Sequence, residues 1–288
     1  MRKLLLVLTM LMLSFTTFGK TVVLEKHNMI SLKSAVTYAT TSQVKQDLLN
    51  VVNTPLIPYM VTERKDPIYF VLDTPGGSIW AGLEMIDFML SQNREVKTVT
   101  LLSASMGFQT VQALGERLIT PSGTLMAHKA SGGFMGEFGD KVSQLDSRYN
   151  YWLRRIERMD RQATARTNGK LTFEQYRDLF ENEYWCEGQD CVDKGFADEV
   201  VNLTCGKTLA GFTQEKENIE FFGLTIELSY KTPHCPLMSE YDIKIKIKTD
   251  GKKETEWTLD NVDKDIRAKI LEKMNPSYMM RRSNGMQY

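Results

Sequence analysis

The sequence predicts an α/β fold, and three observations carry that reading. Residues 67–72 form a continuous apolar and aromatic run, and 96–102 form a second apolar-rich run, the composition of strands covered on both faces. Between them, 79–91 places Ile79, Leu83, Ile86 and Leu90 at helical spacing. Each run also ends in small residues that let the chain turn: Asp73-Thr74-Pro75-Gly76-Gly77-Ser78 after the first, Ser103-Ala104-Ser105-Met106-Gly107 after the second. Strand, turn and helix in succession imply largely parallel strands with helices outside them.

The other elements follow in chain order. Residues 21–24 and 29–32 read as short strands, and 41–52 as a helix with Val44, Leu48, Leu49 and Val52 on one face. A proline-containing connection, 54–66, leads to the first buried strand. After the second, 108–114 continues as a short helix that Gly115 is placed to stop. Residues 118–119 and 124–127 read as two further strands, the last delivering His128. A long amphipathic helix spans 142–166, with Val142, Leu145, Tyr149, Trp152, Leu153, Ile156 and Met159 spaced by threes and fours; its plain reading is a core-facing helix. Another helix is expected over 172–183, capped by Thr172.

Beyond 206 the pattern changes to strands. Residues 221–230 read as one strand. In 241–249, Ile243, Ile245 and Ile247 alternate with Lys244, Lys246 and Lys248, Asp250-Gly251 is a hairpin turn signal, and 255–259 can return antiparallel. The lysine stripe reads as a solvated strand face, and the last ten residues as frayed.

Charge and ends bound the function. The 288 residues carry 36 basic and 36 acidic side chains, so no whole-chain field points to nucleic acid. Arg2 and Lys3 precede an apolar run over 4–15, and Thr17-Phe18-Gly19 supplies small residues at a cleavage spacing. This reads as a signal peptide over 1–19, with an exported chain beginning near Lys20. Four cysteines, Cys186, Cys191, Cys205 and Cys235, suit two disulfides in an oxidising compartment, with three pairings open. No cysteine or histidine spacing fits a metal site, and no cofactor is expected. Gly206-Lys207-Thr208 mimics the end of a phosphate-binding loop, but Val201 stands where its leading glycine belongs.

The chemistry is carried by three segments in one order. The Pro75-Gly76-Gly77 turn lets backbone N–H groups approach a substrate oxygen. Ser105 sits among small residues just past a strand. Leu125-Met126-Ala127-His128-Lys129 ends another strand in one of three histidines. A serine hydroxyl is a poor nucleophile until a base lies within hydrogen-bond reach, and His128 is the candidate base.

Together these segments resemble the proteolytic subunit of the Clp protease, in the Clp/crotonase group of folds. The likeness rests on the Ser105-Met106-Gly107 step, the apolar strand into His128, Gly132-Gly133 soon after, and the closing pattern Val192, Gly195, Asp198. It covers roughly 21–203. The resemblance implies a β-β-α spiral catalytic domain over 20–205, followed by a small β-rich appendage over 206–288. It implies Ser105 as nucleophile, His128 as base, and the N–H groups of Gly77 and Met106 as the oxyanion hole. The family's orienting acid falls, counting back from Gly195, on Glu183, with Asp178, Glu181, Asn182 and Asp190 close enough to compete. It also implies a homo-oligomeric ring, with helix 142–166 as the projecting handle through which two rings meet. An exported copy has no ATP supply, so no cytosolic ATPase partner is expected and the substrates are peptides or unfolded proteins. Two competing readings remain at this level: a peptidase similar to signal peptide peptidase A, with Lys129 or Lys141 as base, and a catalytically inactive binding scaffold.

Overall fold

Four parallel strands set the frame. The computed structural model describes residues 19–54, 64–131, 142–221, 224–248, 255–259 and 261–274. In it, β2 (Met29–Leu32), β3 (Ile68–Thr74), β4 (Val96–Ala104) and β5 (Arg117–Ala127) lie side by side in that order. β6 (Tyr184–Glu187) adds antiparallel to β5, and the short β7 (Glu199–Val200) pairs parallel with its beginning. Of the signal peptide read from sequence over 1–19, residues 1–18 lie outside the described residues.

Both faces of this sheet are covered, which is why its strands are so apolar. On one face Phe70 and Leu72 pack with Leu48 of α1 (Tyr38–Val52), Met85 and Met89 of α2 (Ile79–Leu90), and Phe108 of α3 (Met106–Ala113). On the other, Val71, Val99 and Leu118 meet Val22 and Leu24 of β1 (Thr21–Leu24), which pairs parallel with β8 (Asn202–Cys205). Each such side chain contributes about 1.5–3 kcal/mol by leaving water.

Local sequence sets the element ends. Thr37 caps α1 in a reciprocal capping box with Thr40. Ser78 caps α2, whose buried face is Ala81, Gly82, Met85, Ile86 and Met89. The expected face is therefore rotated: Leu90 is 60% exposed. The two strands expected over 118–127 are one, β5, whose register against β4 slips between Ile119 and Thr124. Pro121 and Ser122 bulge outward there and interrupt the apolar pattern.

α4 (Val142–Ala165) is not a core helix: of its residues only Ala163 is buried, and Tyr149, Tyr151 and Leu153 are exposed. Trp152 and Tyr151 stand against Trp80 of α2 with ring centroids 5.2 and 6.3 Å away. The next helix, α5 (Phe173–Leu179), is shorter than expected but begins at the Thr172 cap. After β6, α6 (Gly188–Lys194) ends at Gly195, whose φ of 82° is the left-handed stop that glycine permits.

Arg117 ties the closing segment to the sheet. Its side chain, 1% exposed, donates to Asp198 Oδ1 at 2.5 Å and Oδ2 at 3.1 Å, to Gln112 at 2.7 Å, and to the carbonyls of Gly195 and Arg166. Burial raises the Asp198 carboxyl, but the hydrogen bonds and charge of Arg117, aided by Arg166, outweigh it and hold the group below the usual carboxylate range.

Two disulfides close the chain, Cys186–Cys191 between β6 and α6, and Cys205–Cys235. Beyond Cys205 a four-stranded antiparallel sheet has the order β12-β11-β10-β9, formed by β9 (Phe212–Phe221), β10 (Leu224–Pro233), β11 (Tyr241–Lys248) and β12 (Thr255–Thr258). The strand expected over 221–230 is present as β10, shifted to Leu224–Pro233, and β9 pairs antiparallel with it. A helix, α7 (Lys264–Met274), was not expected; it places Ile266 and Ile270 with Ile226, Leu228 and Ile245. The Asp250-Gly251 turn lies outside the described residues. No described helix is long and apolar enough to cross a membrane, and no described cluster of His, Cys, Asp or Glu has a metal-binding arrangement.

Candidate active site

β4 and β5 end level with each other, Ala104 opposite Met126, and the site is built on that edge. Ser105 N donates to Met126 O at 2.9 Å, after which the chain turns into α3. Ser105 makes the turn at φ 54° and ψ −115°, a left-handed conformation that a non-glycine residue adopts at a cost of about 1–3 kcal/mol. The neighbouring turn holds it there. A methyl group on Gly76 would lie 2.5 Å from Ala104 O and 2.8 Å from Met106 N, so glycine is required for the two turns to close on each other.

The hydroxyl of Ser105 does not cap α3; it meets His128 Nε2 at 2.8 Å. β5 delivers the imidazole, because His128 follows its last residue directly. Two backbone N–H groups flank the pair. Around Gly77 the bridge to Val36 uses Gly76 O and Ser78 N, which leaves the Gly77 N–H outside the ladder. Met106 opens α3, where an N–H has no partner within its own helix. Gly77, Ser105, Met106 and His128 all line one cleft. A hydroxyl, a base and two backbone donors in one cleft are the groups that acyl transfer requires.

The third member is placed differently from the expected arrangement. The β5–β6 ladder pairs Met126 with Trp185 and closes at Ala127 with Tyr184, with His128 and Glu183 each one residue past it. The Glu183 carboxylate, however, accepts from Trp185 Nε1 at 3.3 Å. Among the described residues no carboxylate is hydrogen-bonded to His128. Glu181 pairs instead with Lys129 on the surface, which lowers its carboxyl. Burial chiefly, with the Asp190 carboxylate adding to it, pushes the Tyr184 hydroxyl up to about 12. The lysine of the rival Ser/Lys arrangement is therefore occupied at Lys129; Lys141 lies outside the described residues.

The rest of the cleft was not read from sequence. Its lining also includes Ile79, Gln109, Ile156, Met159 and Asp160. Burial pushes the Asp160 carboxyl up to about 6, with Arg177 opposing the rise and Glu157 adding to it. The signal was in the sequence: Asp160 continues the stripe of Ile156 and Met159 at i+4, a charge where the pattern calls for an apolar residue.

The family model of the Clp protease matches residues 22–204. The chain belongs to the Clp protease family. Relatives named ATP-dependent Clp protease proteolytic subunit include subunit 1 of Leifsonia xyli subsp. xyli, 29% identical over 162 residues, covering 55% of this chain and 79% of the relative. The protein of that name from Streptococcus equi subsp. equi is 28% identical over 164 residues, covering 56% and 82%. Subunit 2 of Bifidobacterium longum is 31% identical over 163 residues, covering 55% and 75%. Membership places the chain among proteases, a class of hydrolase. The β9–β12 sheet and α7 lie beyond the matched region.

Proposed function

We propose that the protein is an exported serine endopeptidase that cleaves peptides or unfolded proteins without ATP. The observation that carries this is the 2.8 Å contact between Ser105 Oγ and His128 Nε2 beside the N–H groups of Gly77 and Met106. Ser105 Oγ attacks the scissile carbonyl carbon while His128 Nε2 takes its proton. The carbonyl oxygen, now negative, is held by the two N–H groups, each typically worth ~2.7–4 kcal/mol in the transition state. The imidazolium then protonates the leaving amine as the C–N bond breaks, which leaves an acyl-enzyme. Water attacks that ester, His128 takes its proton and returns it to Ser105, and the acid product departs.

Glu183, like His128 one residue past the β5–β6 ladder, is the proposed orienting acid, reached by turning from Trp185 to His128. Export is supported by the N-terminal sequence and agrees with the two disulfides. Outside the cytosol there is no nucleotide supply to drive an unfoldase, which is the ground for ATP independence. Assembly into a homo-oligomeric ring is supported by family membership and by the exposed apolar side chains of α4.

Active-site labelling tests the central reading. A fluorophosphonate should label the mature protein once per chain and fail to label Ser105→Ala, and the native mass should be a multiple of the protomer. An intact wild-type fold that resists the reagent would end the serine-peptidase reading.

A further inference from the structure

The substrate residue that donates the scissile carbonyl has its side chain one carbon away from the point of attack. With that carbonyl at Ser105 and its oxygen toward Gly77 and Met106, the side chain enters the remainder of the same cleft. Its walls are Ile79, Met106, Ile156 and Met159, apolar surfaces suited to a methylene stem. Gln109 and Asp160 line the same cleft.

Asp160 is the only carboxylate among the described lining residues. Its backbone carbonyl accepts from Thr164, but among the described residues its carboxylate forms no ion pair and accepts no hydrogen bond. Arg177 of α5 influences it from a distance, with its guanidinium 6.0 Å from the Phe173 ring centroid. A half-buried carboxylate without a partner is costly, and a cation brought into the cleft relieves that cost. A neutral side chain would leave it uncompensated, and an acidic one would be repelled.

We infer that Asp160 sets the specificity of this cleft, selecting substrates with lysine or arginine at the residue whose carbonyl Ser105 attacks. The inference rests on the serine-peptidase reading above and names its substrate class.

Two peptidyl aryl phosphonates test it, identical except for lysine or its uncharged isostere norleucine at that residue. Both phosphonylate the active serine, its Oγ bonding to phosphorus as an aryloxide leaves, so the ratio of their labelling rates reads the cleft alone. The lysine probe should label wild type about 10–100-fold faster, the range of a hydrogen bond to a charged group. In Asp160→Asn, with its Tm checked, the ratio should fall to near parity. The pH dependence of wild type gives a second reading that needs no variant. The preference should be full above pH 7 and fade as pH falls through about 6, where the Asp160 carboxylate takes up its proton.

The groups around Asp160 do not mimic that fade. Burial keeps the Tyr176 hydroxyl neutral throughout, and the Arg177 guanidinium has no proton to give in this range. Glu157, on the same helix, is paired with Arg161 at 2.6 Å. His128 acts on both probes alike, so it cancels from the ratio. Equal rates for the two probes, a lysine preference that survives Asp160→Asn, or a preference indifferent to pH would each overturn the inference while leaving the peptidase intact. No labelling by either probe or by a small fluorophosphonate would instead remove the peptidase reading beneath it.

Discussion

Glu183 and His128 each lie one residue past the Ala127–Tyr184 pair that closes the β5–β6 ladder, and the Glu183 carboxylate is held by the Trp185 indole at 3.3 Å. Residues opposite each other on antiparallel strands have Cβ atoms about 4.5–5.5 Å apart, and the same register carried one residue past the ladder would put the carboxylate within a rotamer change of the imidazole. The indole bond and the imidazole bond thus compete for one acid.

Glu183→Gln should therefore lower kcat by up to about 10⁴-fold with little change in KM, the loss seen when a carboxylate that orients a catalytic histidine is neutralised. Trp185→Phe removes the competitor and should leave kcat equal to wild type or higher. Steady-state kinetics on both variants check this; an unaffected Glu183→Gln enzyme moves the role to another group.

Ser105→Ala and His128→Ala should each reduce turnover by at least about 10⁴-fold, because nucleophile and base act as a unit. Tm should change little, since the bond between them joins two partly exposed groups at a strand edge. Substantial activity in His128→Ala would favour a lysine base.

Gly76→Ala should lower kcat by about 10²–10³-fold, the cost of losing an oxyanion donor. The added methyl meets Ala104 O, Ser105 Cβ and Met106 N at 2.5–2.8 Å, so the nucleophile turn must shift and the Met106 N–H with it. Comparing kcat with fluorophosphonate labelling separates a displaced serine from a displaced donor.

The two disulfides should behave differently when removed. The chain-entropy model gives about 2 kcal/mol for the short Cys186–Cys191 loop and about 4 kcal/mol for the Cys205–Cys235 loop, whose sequence separations are 5 and 30. Cys205→Ser with Cys235→Ser should therefore cost more in Tm. Loss of Cys186–Cys191 should cost more in activity, because it fixes the strand that follows Glu183. Unchanged turnover in protein verified to be reduced at that pair would count against this.

Asp198→Asn should destabilise the protein by about 3 kcal/mol at neutral pH, since it leaves the buried Arg117 guanidinium short of its partner. The folded Asp198 pKa lies below its unfolded value, so this contribution is present above the ordinary carboxylate range and lost as pH falls through the lowered one. Melting curves of wild type and variant should accordingly converge in acid.

Much of the frame was legible because β3 and β4 are covered on both faces and so carry unbroken apolar character. β5 was split in two on reading because its outward kink puts Pro121 and Ser122 in mid-strand. The periodicity of α4 identified an apolar stripe but not what covers it. β9 and α7 went unread because each contributes few apolar side chains, Ile219 from one and Ile266 and Ile270 from the other. At the site, the order of turn, serine and histidine was readable because each follows a strand end. The Trp185–Glu183 contact was not, since a rotamer leaves no trace in residue order.

β5 begins at a buried guanidinium anchor and ends one residue before the imidazole. Successive side chains along a strand point to opposite sides, so losing or gaining a single position within 124–127 would swing His128 away from Ser105 altogether. Conservative replacements in that stretch are tolerable where deletions are not. What it must keep is its count.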